Sequence, residues 1–304
     1  MIFLNLTIVA FAWTSTFPFL FSGVLWSLGW SMIAMALLMR LPLAVIVAFG
    51  TGTVVTHNLL DRVNPAAFGK FAGAWLILHG HGTFWIDPGK LDFFVLWPFL
   101  PWVGVMAIGY AIGALLTRSD WQKVIFRIGG LATAAFLLLR FFRLYGNSSP
   151  SLFGVAAGPW KVQPTMTLTI ISFFDTLKYP PSLQFLLMTL GPALMALAWL
   201  GKVDTRRPLA AFVNVFGRVP LFYYVVHLYI IRTLAVYTAL IVKQKAAWLL
   251  YGGMMVLDPP QGYGHSLGFI YGMWLGVVLF MYPLCKGFMK FKEQHAELWW
   301  LHYL

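Results

Sequence analysis

Long apolar runs broken by short polar stretches set the rhythm of this chain. The run at 217–242, GRVPLFYYVVHLYIIRTLAVYTALIV, is about as long as a bilayer-spanning helix. Its ionisable interruptions are His227, near one third of its length, and Arg232 a turn and a half later. An arginine at mid-membrane costs about 2.5–3.5 kcal/mol or more. His227 is therefore expected to face other helices or a wet cavity rather than lipid. Tyr223 and Tyr224 stand four and three residues earlier, so one of them shares its face and can cap an imidazole nitrogen. Two readings of His227 stay open: a tyrosine–histidine hydrogen bond that locks helices together, and a proton-handling or substrate-binding group.

The same pattern predicts about eight spans, near 2–14, 21–39, 42–60, 93–116, 124–142, 180–200, 217–242 and 266–285. A Ser-Thr-Phe-Pro turn follows the first. The third ends in His57, Asn58, Asp61 and Arg62, and the loop after it carries LHGHG and IDPGK. Pro98 and Pro101 are expected to kink the fourth span, and Gly104, Gly109 and Gly113 to let a neighbour pack closely. Within the long connection 143–180, TMTLTII alternates and predicts a short extended or re-entrant piece. Pro180 and Pro181 suit the first turn of the sixth span. A loop with Lys243, Lys245, Asp258, Pro259, Pro260 and His265 follows the seventh. The tail 286–304 mixes lysines with Trp299 and Trp300 and is expected to lie along the membrane surface. The fold class is all-α, a polytopic membrane helical bundle forming a single domain over 1–304.

Composition sharpens this picture. Hydrophobic residues make up 60% of the chain and charged residues 10%, with a mean hydropathy of +0.79. Soluble domains run near a quarter charged, so a single soluble core is excluded. The net charge of +12 lies in short loops between apolar runs and forms no basic stripe, which argues against nucleic acid. It fits topology setting and contact with anionic membrane lipids. Arg40, then Arg118 and Lys123, then Lys202, Arg206 and Arg207, then Lys286, Lys290 and Lys292 fall on one side if the spans alternate. The positive-inside rule makes that side and both termini cytoplasmic. His57, Asp61, LHGHG and 143–180 are then extracytoplasmic. The lone cysteine, Cys285, excludes internal disulfides and a cysteine-based metal site.

Few residues carry candidate chemistry. THNLLD puts His57 and Asp61 four apart, on one face of an α-helix. A carboxylate beside an imidazole fixes its tautomer and raises its basicity, as a general base requires. The plainer reading is a polar helix end with Asp61 paired to Arg62. His79 and His81 in LHGHG could suggest a metal pair, but no third ligand has a fitting spacing, and the expectation is no metal. Lys178 and Tyr179 precede a proline-started helix, whose free amides would favour an anion; the alternative is a snorkelling lysine beside an aromatic anchor. Arg206, Arg207 and Arg218 flank the start of the seventh span, where they could meet donor phosphates or only set topology. Walker, GxGxxG and HExxH signatures are absent. No acidic residue lies within the middle of a span, which weakens a proton-coupled transporter.

Taken in order, LWSLGWSMIAMALLMRLP, THNLLD, FVLWPFLPWVGVMAIGYAIGALL, TLKYPPSLQFLLMTLGPALMALA, FGRVPLFYYVVHLYIIR and YPLCKGFMKFKEQHAELWWLHYL resemble one family across nearly the whole chain. It comprises bacterial membrane proteins related to the catalytic domain of heparan-alpha-glucosaminide N-acetyltransferase, within the wider transmembrane acyltransferases. The resemblance implies a polytopic enzyme of the bacterial inner membrane. It would take an acetyl group from acetyl-CoA on the cytoplasmic side and pass it to an extracytoplasmic acceptor, a cell-envelope sugar being the natural one.

The family opens with an Asp-x-x-Arg-Gly element, two further helices and a histidine held to be catalytic. This sequence starts at what resembles the family's third helix, so a fragment, or a member without that histidine, is expected. The family's histidine transfers to no residue here. Position and residue type then point to His227, His57 and Asp61 for acid–base work. Arg206, Arg207 and Arg218 are the candidates for the donor, and Lys178, Tyr179 and Asn147 for the acceptor face. Membrane lipids, acyl-CoA, the acceptor and a second copy of the chain are the partners admitted. The rival is a small-molecule or lipid carrier without chemistry, which internal repeats would favour; none is evident.

Overall fold

The apolar runs become helices, and three of the polar breaks between them acquire structure of their own. A computed structural model describes residues 1–14, 20–88, 91–147, 158–242, 249, 261, 263–298 and 301. The turn at 15–18, Gly89 and Lys90 of IDPGK, residues 148–157, Lys243, Lys245, Asp258, Pro259, Pro260, Trp299 and Trp300 lie outside the described residues.

Five helical segments are long and apolar enough to cross a membrane: Leu43–Arg62, Trp121–Phe141, Leu183–Leu200, Pro220–Ile241 and Leu267–Gln294. The segments Ile2–Trp13, Val24–Leu38, Pro65–Leu78 and Phe99–Leu115 are apolar but shorter. The protein is an all-α, polytopic integral membrane protein. By its contacts the chain divides into two compact units: Met1–Leu6 with Leu20–Lys202, and Thr7–Phe19 with Val203–Leu304.

In the first unit, α1 (Ile2–Leu4) opens a helical stretch that continues as a π-helical segment, Asn5–Val9. Then come β1 (Leu20–Ser22), α3 (Val24–Leu38), α4 (Leu43–Thr56), a 3-10 helix (His57–Arg62), α5 (Ala72–Leu78), β2 (Gly82–Asp87) and β3 (Leu91–Val95). After these come α6 (Phe99–Leu115), α7 (Trp121–Phe141), α8 (Met166–Phe174) and α9 (Leu183–Leu200). The second unit holds α2 (Ala10–Thr14), α10 (Pro208–Arg218), α11 (Pro220–Ile241) and α12 (Leu267–Gln294).

Glycine lets two helix pairs of the first unit touch backbone to backbone. A Cβ on Gly129 of α7 would lie 2.6 Å from the Gly191 carbonyl oxygen of α9, and one on Gly191 2.5 Å from Thr133 Oγ1. Gly50 of α4 and Gly104 of α6 meet in the same way, each with its nearest neighbours at 3.0 Å. Gly109 and Gly113 face open space, so of the three glycines expected to help packing only Gly104 does.

Pro98 and Pro101 do not kink the span. Pro98 caps α6 and Pro101 lies in its first turn, where no backbone donor is needed. The residues expected to begin that span form β3, which pairs parallel with β1 and antiparallel with β2. Ser22 Oγ accepts from the Leu96 and Trp97 amides and closes the end of this sheet.

TMTLTII is helical, in α8, and not extended. Thr165 caps its start by accepting from the Leu168 amide at 3.2 Å. The buried Arg140 gathers its end, donating to the Ser172, Phe173 and Asp175 carbonyls at 2.8, 2.7 and 2.6 Å. The guanidinium also reaches Gly158 O and Gln184 Oε1. A planar fork of donors suits the orphan carbonyls of a helix end. Alternation within seven residues is too weak to resist that tertiary anchoring.

The second unit repeats the device. Arg232 on α11 is buried and donates to the carbonyls of Ala12, Trp13 and Leu249. Its core joins Val215, Val219, Val277, Met281 and Cys285. Two differences from expectation stand out. The stretch before the seventh span forms α10, an amphipathic helix whose Phe212 stacks on Tyr282 at 4.5 Å. The eighth helix also runs on to Gln294, so the first part of the supposed surface tail is regular helix.

Candidate functional site

The end of α4 tightens into a 3-10 turn, and that local change decides the site. In an α-helix residues four apart share a face. At three residues per turn, residues three apart do. Asn58 and Asp61 are therefore the aligned pair, and Asn58 Nδ2 donates to Asp61 Oδ2 at 2.8 Å. His57 points elsewhere. Its Nε2 lies 2.9 Å from Pro181 O and its Nδ1 2.9 Å from Val54 O, so both ring nitrogens are committed to carbonyl oxygens. The sequence pairs His57 with Asp61; the structure does not.

Asp61 instead pairs with His79, brought in from the end of α5. His79 Nε2 lies 2.9 Å from Asp61 Oδ1, with side-chain exposures of 3% and 2%. An ionised carboxylate only accepts, so Nε2 carries the hydrogen and Nδ1 is left as the lone-pair nitrogen. That Nδ1 is buried and has no hydrogen-bond partner among the described residues. Edge contacts from His57, at 5.8 Å between ring centroids, and Trp75, at 6.1 Å, hold the ring. No group of three or more His, Cys, Asp or Glu side chains that could hold a metal ion occurs among the described residues. Burial pushes the His81 imidazole below its usual range, against a smaller opposing pull from the Asp61 charge. Burial, aided by Asp61, pushes the Tyr145 phenol up.

Two asparagines tie this cluster to the loop before α9. Asn58 Oδ1 accepts from the Leu183 amide at 2.7 Å. Asn147 Oδ1 accepts from the Leu177 amide at 2.8 Å and from Ser182 Oγ at 3.1 Å. The first amides of α9 are thus filled by protein: Leu183 by Asn58, Gln184 by Gly146 O, Phe185 by Ser182 Oγ. Pro180 and Pro181 stand before the helix, whose cap is Ser182. The free-amide anion site expected there is absent among the described residues. Lys178 rests over the rings of Tyr179, at 5.0 Å, and Trp97, at 5.9 Å. Trp97 in turn stacks on Trp102 at 4.5 Å.

The remaining candidates belong to the second unit. His227 Nδ1 lies 2.9 Å from Tyr223 O, and the Tyr223 ring stacks on the imidazole at 5.0 Å rather than capping it with its hydroxyl. Arg206 and Arg207 are exposed, and Arg207 is the N-cap of α10. Arg218 forms an exposed ion pair with Glu293 at 2.7 Å.

His79 as the partner of Asp61 escaped the sequence reading. The contact spans eighteen positions and depends on how α5 returns, which periodicity does not encode. The two histidines of LHGHG were the available signal.

No curated protein matches the chain, and no solved structure does. The family model described as heparan-alpha-glucosaminide N-acetyltransferase, catalytic, matches residues 1–149. That stretch contains His57, Asn58, Asp61, His79, His81 and Asn147, whereas the second-unit candidates fall outside it. Through residues 1–149, just under half its length, the chain is similar to this family.

Proposed function

We propose that this protein transfers an acyl group, acetyl in the first instance, from acyl-CoA to an amine or hydroxyl acceptor on the extracytoplasmic side of a bacterial inner membrane. The observation that supports this reading is the buried Asp61–His79 pair, whose Nδ1 has no partner among the described residues, inside the family-matched stretch. Asp61 holds the imidazole in one tautomer and stabilises the cation that forms when Nδ1 takes a proton. The acceptor nitrogen or oxygen attacks the thioester carbonyl carbon and loses its proton to His79. The carbon–sulfur bond breaks, and the thiolate of CoA leaves and takes that proton. Acetyl-CoA and the acceptor are consumed; the acetylated acceptor and CoA thiol are formed.

The supporting roles follow from position. His57 and Asn58 hold the loop before α9 against the dyad, and Asn147 holds the same loop from its other side. Lys178 and Tyr179, with the Trp97 ring, offer an aromatic and cationic wall for a sugar acceptor. In the second unit, Arg206, Arg207 and Arg218 remain the candidates for an acyl-CoA's phosphates, Arg218 being paired with Glu293. His227 remains the polar candidate of the second unit.

The test is turnover. Purified full-length protein in lipid nanodiscs should bind acetyl-CoA saturably and release CoA thiol in the presence of glucosamine. Absence of saturable binding would remove the acyltransferase reading.

A further inference from the structure

The second unit holds a cavity that the reaction above does not use. It has a volume of about 450 Å3, within the 300–1,000 Å3 of ordinary ligand pockets. One wall is a single face of α11, from Tyr223 through His227, Ile231 and Ala235 to Thr238. Fifteen residues at 1.5 Å each make that wall about 22 Å long. The facing wall comes from α12, around Ile270, Met273 and Trp274. A void that follows two helices for this distance fits an extended chain better than a compact ring system.

Two imidazoles and the side chains of Tyr223, Thr238 and Tyr263 interrupt an otherwise apolar lining. His227 stands near one end, and its Nδ1 is engaged by the Tyr223 carbonyl at 2.9 Å. That partner assigns the ring hydrogen to Nδ1 and leaves Nε2 as a lone-pair acceptor without a partner among the described residues. His265, in the segment leading into α12, also lines the cavity, and its Nε2 is buried and unpartnered among the described residues. Among the described residues, no lysine, arginine or carboxylate lines the void. A charged headgroup buried there would lack a counter-charge and would be expelled. A bare hydrocarbon would leave the His227 Nε2 lone pair without a donor, at about 1–3 kcal/mol once the chain excludes water. What remains is a neutral chain molecule that carries a hydrogen-bond donor.

We infer that this cavity binds a membrane-dissolved long-chain alcohol, its hydroxyl donating to His227 Nε2 and its chain lying between α11 and α12. The inference stands independently of the acyltransferase reading. Ile231, Ile270 and Trp274 are 45%, 49% and 63% exposed, so the slot is reached from the flanks of these helices, where such a molecule would be dissolved.

The probe is a diazirine-bearing hexadecanol, photolysed with the full-length protein in nanodiscs, with adducts mapped by mass spectrometry. Matched diazirine hexadecanoic acid and hexadecane are run in parallel. The alcohol should label Leu234, Ile270 and Met273 saturably, and unlabelled hexadecanol should compete. Labelling should fall at least tenfold in Ala235→Trp, which fills the slot, and severalfold in His227→Leu, while His227→Gln retains part of it. A thermal-stability scan of each variant identifies any that fail to fold, and Thr238→Val, which keeps the slot open, should label like the wild type. Equal, non-saturable labelling by hexadecane would mean annular lipid only and would overturn the inference. Stronger labelling by the acid would overturn the neutral headgroup, and unchanged labelling in His227→Leu the role of His227.

Discussion

Asp61 Oδ1 and His79 Nε2 lie 2.9 Å apart, with both side chains at least 97% buried. Two groups that would be costly to bury alone satisfy each other, and Asn58 takes the second carboxylate oxygen. Asp61→Asn keeps the size but loses the charge and leaves one acceptor oxygen where His79 and Asn58 need two. It should lower acetyl transfer by about a hundredfold and stability by roughly 1–3 kcal/mol. Turnover and thermal unfolding on the same preparation check both, and near-wild-type turnover would count against the dyad.

Arg140 should matter to the first unit through geometry rather than charge alone. Arg140→Met strands the carbonyls at the end of α8 together with Gly158 O and Gln184 Oε1. A loss of at least about 3 kcal/mol is expected. Arg140→Lys should recover little, because one ammonium cannot span these acceptors. Denaturant-dependent unfolding in detergent micelles, read for both variants, settles the comparison.

The α7–α9 contact predicts a sharp contrast between glycines. Gly191→Val drives a branched side chain into Thr133 and should cost about 1–3 kcal/mol. Gly109→Ala meets nothing within 4 Å and should be neutral or stabilising by up to about 1 kcal/mol. Melting temperatures of the two variants in one lipid mixture test this.

His81 gives the first unit a pH dependence. Burial is the main cause that holds its pKa below the unfolded value of about 6.5. Between those two values the unfolded chain binds more protons than the native one, so stability falls as pH drops through about 6.5. His81→Asn should flatten the curve of melting temperature between about pH 5 and pH 7. An unchanged slope would show that another group is responsible.

The helical architecture was legible because apolar runs of twenty residues admit few alternatives in a bilayer. The eight expected spans each contain a helix among the described residues. What the runs concealed was decided over longer distances. α8 is helical because Arg140 collects its end, and α10 turns on apolar contacts with α12. The site was half legible. Asp61, His57, Asn58 and Asn147 stood out as polar residues in apolar surroundings. Their partners did not, because one 3-10 turn rotates the pairing by a residue and because His79 and Pro181 arrive from distant segments.

The account depends most directly on the rate of acetyl transfer from acetyl-CoA to glucosamine by His79→Gln in nanodiscs, beside wild type of equal thermal stability. Glutamine preserves a donor toward Asp61 but supplies no base, so a loss of at least about a hundredfold is predicted. Transfer by His79→Gln within a few-fold of wild type would contradict it.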